Sequence, residues 1–166
     1  MKHFKSLLFA AVLFIGATTF TSAQSKVAHI DTQKLIEAMP DYISAQAEID
    51  KLKATYQAEL QDQLTELNNK IKQYESEAGS QTAEENLRRK QEVTKIDQSI
   101  TLYQQNQYQD MQKKNEALMK PIIADAKKAI QEVAKAQGYE YVLDSAMLLV
   151  SDGKDLMADV KAHLKI

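Results

Sequence analysis

Two of the three histidines, a set of aspartates near the C-terminus and a series of tyrosines are the residues through which this chain could do chemistry. His29 sits in a short β-rich run and His163 near the chain end, and neither belongs to a cluster at metal-ligand spacing. Asp144, Asp152, Asp155 and Asp159 lie close in sequence, but their order matches no loop of alternating cation ligands. Turn and cap duty explains them better. Gly16, Gly79, Gly138 and Gly153 are too scattered to cradle a phosphate, and the chain contains no cysteine. No catalytic, cofactor-binding or metal site follows, so the chain reads as a non-enzyme that needs no cofactor. Tyr42, Tyr56, Tyr74, Tyr103 and Tyr108 remain, and what they do depends on the elements that carry them.

Those elements begin after an export signal. Lys2 and Lys5 precede an apolar run from Leu7 to Phe20, and Thr21-Ser22-Ala23 supplies small residues at a cleavage spacing. The run is short for a membrane span. The expectation is a signal peptide over residues 1–23, cleaved after Ala23, and a mature chain beginning at Gln24 without stable membrane insertion. The lack of cysteine excludes a lipid anchor at the processing site. Loss of Lys2 and Lys5 leaves 19 basic against 23 acidic residues, a net charge of −4. That balance gives nucleic acid no electrostatic reason to bind.

Ile49, Leu52, Tyr56, Leu60, Leu64, Leu67, Ile71 and Tyr74 recur once per helical turn among charged and amide residues. So narrow a stripe fits one partner helix rather than a globular core. A second stripe, Val93, Ile96, Ile100, Gln104, Tyr108 and Met111, mirrors the first about residue 80. Gly79-Ser80 ends one helix there, and Thr82 with Glu85 forms a capping box for the next. The prediction is an antiparallel helical hairpin over residues 42–120 with its tip near 79–82. Each limb is about 55 Å long. Pro40 and Pro121 mark its root as a hinge, Pro121 by kinking its helix. On this reading Tyr56, Tyr74 and Tyr108 are seam packing. Tyr103 falls beside the seam and is the candidate contact for a bound partner. The uncharged run 104–109 and the basic cluster Arg88, Arg89 and Lys90, offset by Glu84, Glu85 and Glu92, read as solvated surface.

Residues 24–41 and 121–166 make up the body, with strands expected at about 26–31, 139–144 and 147–150 and short helices between them. Val27, Ile30, Val142, Leu143, Leu148 and Val150 are its candidate oligomerisation residues. Three short strands form a marginal core, and their open edges invite pairing between subunits. The fold class is therefore α+β, mostly α: a long coiled-coil arm on a small β body completed by oligomerisation.

The stretch Val27-Ala28-His29-Ile30-Asp31-Thr32-Gln33-Lys34 and the following Pro40-Asp41-Tyr42 resemble the start of Skp/OmpH proteins. Gly138-Tyr139-Glu140-Tyr141-Val142-Leu143-Asp144, followed by Asp155-Leu156 and Asp159-Val160, resembles their C-terminal signature. The resemblance spans the mature chain. It implies a periplasmic homotrimer whose arms enclose a cavity, binding unfolded outer-membrane proteins without ATP and preventing their aggregation. Well-known relatives are strongly basic and this chain is mildly acidic, so capture by charge is not expected. The competing class is a coiled-coil scaffold of the cell envelope, which would usually add a further β-rich domain or lipid anchor.

Overall fold

The computed structural model describes residues 26–166. The expected signal peptide, and cleavage after Ala23, lie outside these described residues. The element order is β1 (Val27–Ile30), α1 (Thr32–Glu37), α2 (Pro40–Glu77), a 3-10 turn (Ala78–Ser80), α3 (Ala83–Ala136), β2 (Tyr141–Asp144), a second 3-10 turn (Ser145–Met147), β3 (Lys154–Asp155) and α4 (Met157–Leu164). It is a mostly helical α+β fold: a long antiparallel hairpin standing on a small three-stranded sheet.

Local chemistry sets the ends of the helices. Asp31 caps α1 by accepting from the Lys34 amide at 2.9 Å, and Thr82 caps α3 by accepting from Glu85 at 3.1 Å. Pro40 is the first residue of α2, where its missing N–H costs nothing. Gly138 adopts φ +77 just beyond α3, and the Tyr139 amide donates to the Ala134 carbonyl at 2.9 Å, closing the helix. Pro121 does not end its helix. α3 runs through it from Ala83 to Ala136, and Pro121 and Ala117 are both exposed, so the carbonyl that loses its donor faces water.

β1 is the central strand, paired parallel to β2 on one side and β3 on the other. This corrects the expected third strand at 147–150. After β2 the Asp144 carboxylate accepts from the Ala146 amide at 3.0 Å and turns the chain into 3-10 geometry. Leu148–Val150 then runs without a strand partner, because the 3-10 turn carries it over His29 rather than along the free edge of β2.

One face of the sheet is covered by helices. Ala28 and Ile30 of β1, Leu35, Leu156 and Val160 are essentially inaccessible, and Ile122, Ala126, Ala129 and Val133 of α3 close over them. The small alanines let α3 approach the sheet closely. Truncating Leu35 to alanine would leave a cavity in this core. It should cost about 2–5 kcal/mol, read as a lower denaturation midpoint with helicity below the midpoint unchanged.

Candidate functional site

The hairpin is held along a thin seam. Leu67 and Ile100 are buried near its middle, at 7% and 4% exposure, while Ile49, Leu52, Tyr56, Leu60, Leu64, Val93, Ile96 and Met111 are half-buried. Polar contacts clamp the two limbs across this line. Lys114 meets Glu48 at 2.6 Å, Tyr103 donates to Glu59, and Lys70 meets Glu92 at 2.6 Å, each pair centred on residue 81. Tyr56 donates to Asp110 at 2.6 Å, Tyr74 to Glu92 at 3.0 Å, and Arg89 to Glu77 at 2.8 Å, each pair centred on residue 83. The fold-back point therefore lies past residue 80, because the 3-10 turn and Gln81 lengthen the tip.

The shifted register changes two residue assignments. Tyr108 is 66% exposed and off the seam. Tyr103 is half-buried on it, with Gln107 beside it donating to the Tyr56 carbonyl at 3.3 Å. Steps of 3, 4 and 4 from Ile100 lead to Met111 as well as steps of 4, 4 and 3 do. The chain takes the first series because Tyr103 and Gln107 both find partners across the hairpin. The acceptor Asp110 holds Tyr56 in its phenol form, its pKa pushed up to about 12.

The tip is fastened more tightly. Arg89 donates to Glu85 at 3.0 Å and to Glu77 at 2.8 Å, and its guanidinium stacks 4.6 Å from the Tyr74 ring centre. Hydrogen bonds from Arg88 and then Arg89 hold Glu85 down at about 2. Glu92 is lowered by Lys70 and Tyr74, and Glu77 by Gln73 and Arg89. Depressed carboxylates stabilise the fold above their unfolded value of about 4.3 and lose that contribution as pH falls through the folded value. Glu85→Gln should therefore speed hydrogen exchange at the tip several-fold at neutral pH. By about pH 2 the variant and the unaltered chain should exchange alike. A difference that persists there would show that the charge pairs are not what holds the tip.

The body presents a second surface. Parallel register puts Val27 beside Tyr141 and His29 beside Leu143 on the face away from the helices. Tyr141, Leu143, Met147 and Val150 are exposed, and Leu149 is fully so. Leu148 is half-buried and lines a groove over His29. His29 is itself buried, with Nε2 3.2 Å from the Gly153 carbonyl. A carbonyl only accepts, so Nε2 carries the proton. Of the candidate oligomerisation residues, Ile30 instead belongs to the chain's own core and Val142 packs against that core. Beside the free edge of β2 runs an apolar groove of ≈ 520 Å³ between Ile123 and Ile130 of α3 and Val142 and Leu143. Among the described residues no helix is long and apolar enough to cross a membrane, and no three His, Asp or Glu side chains gather to hold a metal.

An arm braced only against itself, on a body with an open apolar face, has counterparts among known proteins. Residues 26–164 match the family described as outer membrane protein (OmpH-like). The crystal structure of an OmpH-like protein from Caulobacter crescentus CB15, described as a candidate outer membrane chaperone, superimposes with a TM-score of 0.76. It is 15% identical, and the match covers 86% of this chain and 85% of that one. No curated protein matches by sequence. With the family match running from β1 to the end of α4, the chain belongs to the OmpH-like family.

Proposed function

We propose that this protein is an ATP-independent periplasmic holdase: a homotrimer whose arms enclose unfolded outer-membrane proteins and keep them from aggregating. The observation that carries this is the pairing of a self-braced arm with an unfilled apolar body face. Leu143, Met147, Leu149 and Val150 stand in water on a single chain, a cluster that marks an association surface. The arm seam satisfies only itself and leaves the outer sides of both helices free. Closing three copies through the body sets three arms around one space. Pro121 then serves as the level at which α3 yields most easily to bending, because the helix lacks one hydrogen bond there.

Export follows from the N-terminal sequence, with Gln24 as the first residue of the mature protein. The test is the solution mass alone and with a urea-denatured outer-membrane β-barrel protein. A particle of three chains that takes up one client supports the reading. A monomer that elutes apart from the client refutes it.

A further inference from the structure

Away from the seam, α3 carries a long face without charge. Gln91, Gln98, Gln105 and Gln112 recur every seven residues, and all four are exposed. Between them, at the same interval, stand Leu87, Thr94, Thr101 and Tyr108, also exposed. The steps alternate between four and three residues, so the side chains form one stripe along the helix, about 37 Å long. Charged residues make up 27% of this chain, yet along the stripe they only flank it, with Arg88 and Lys95 on one side and Lys90 and Asp97 on the other.

Thr94 donates its hydroxyl to the Lys90 carbonyl at 3.0 Å and Thr101 to the Asp97 carbonyl at 3.1 Å, so neither hydroxyl proton is left free on the stripe. Off the stripe, Gln107 is engaged by the Tyr56 carbonyl, while no hydrogen bond among the described residues engages the four stripe glutamines. The back of α2 offers a poorer copy, Ala54, Ala58, Gln61, Thr65 and Asn68. It is shorter and has no large apolar residue, and the Gln61 amide is spent on Thr65 at 3.3 Å.

The chemistry of the stripe selects its occupant. A second helix would need apolar knobs at two positions per heptad, and here one of the two is always glutamine. A lipid surface would need basic residues or a continuous apolar face, and a folded charged partner would need charge. A glutamine amide both donates and accepts, as a peptide unit does. Seven helical residues rise about 10.5 Å, close to the ~10 Å spanned by three extended residues.

We infer that this stripe is the face of the arm that touches client, and that its ligand is unfolded polypeptide in extended form, held through main chain and uncharged side chains. The inference rests on the holdase reading and adds the contact surface and the mode of recognition. Without charge of its own, the face takes client segments of either sign.

The test replaces Gln91, Gln98, Gln105 and Gln112 together by Glu, and in a second variant by Lys. Both residues match glutamine closely in helix propensity, so helicity and oligomer mass should stay as they are. Each variant should need about tenfold more protein than the unaltered chain to suppress light scattering by a diluted, urea-denatured outer-membrane β-barrel protein. Protection by either variant equal to that of the unaltered chain overturns the inference. So does a Lys variant that binds more tightly while the Glu variant binds less, which would mean capture by charge. No protection by the unaltered chain overturns the holdase reading, and this face with it.

Discussion

A chain whose arm is cut short, with residues 60–102 replaced by a short glycine-serine loop, will assemble as the full-length protein does and will not protect clients. The cut joins Glu59 to Tyr103, which already touch across the hairpin, so the remaining seam keeps its register. The body core, from Ala28 and Leu35 to Leu156 and Val160, contains no residue of the removed segment. In the proposed cage each arm would offer only weak, separate contacts, and linking several of them can raise avidity by about 10²–10⁴-fold. The shortened protein should therefore need roughly a hundredfold more chain for equal protection. Equal protection without the arms would place binding on the body instead.

Leu149→Asp should break the proposed trimer and leave the single chain folded. Leu149 is fully exposed in the lone chain, so the substitution removes no contact there. In the assembly it would place a carboxylate in an apolar interface without a partner. At a cost of roughly 3 kcal/mol or more, dissociation should become about a hundredfold easier or more. Protection should fall with it, because a lone arm has no neighbours to share a client. Val142→Asp is a different experiment, since Val142 packs on the chain's own core and its loss should lower helicity in the body as well. If the mass of the Leu149→Asp protein equals that of the unaltered protein at every concentration, the exposed face is not the interface.

The hairpin and its class were legible because two local signals, apolar spacing and turn chemistry, point to the same fold-back region. The Thr82 cap closes on Glu85 as its sequence pattern implies. The seam on α3 was harder to read past Ile100. Tyr103 with Gln107 and Gln104 with Tyr108 satisfy nearly the same periodicity, and only hydrogen bonds from the other limb decide between them. Spacing also missed the clamps at Lys70–Glu92 and Tyr56–Asp110, since charged and phenolic pairs across a hairpin carry no periodic signal.

The sheet was legible only in part. Residues 27–30 and 141–144 are β-rich and do pair, but nothing local says that the pairing is parallel. Met147–Val150 is as β-rich as either, yet the 3-10 turn after β2 leads it away from the free edge of that strand, and it pairs with none. Lys154–Asp155 is polar and short, and it pairs because Gly153 and the His29 contact bring it alongside β1. Where strand identity depends on which edge is free, it belongs to tertiary structure rather than to sequence pattern.

The most direct measurement is light scattering from a urea-denatured outer-membrane β-barrel protein diluted into buffer without nucleotide. With three chains of this protein present per client, scattering should stay at the level of buffer alone, at low and at high salt, because the chain carries slightly more acid than base and the proposed client face has no charge. Scattering that rises as fast with the protein as without it would contradict the account.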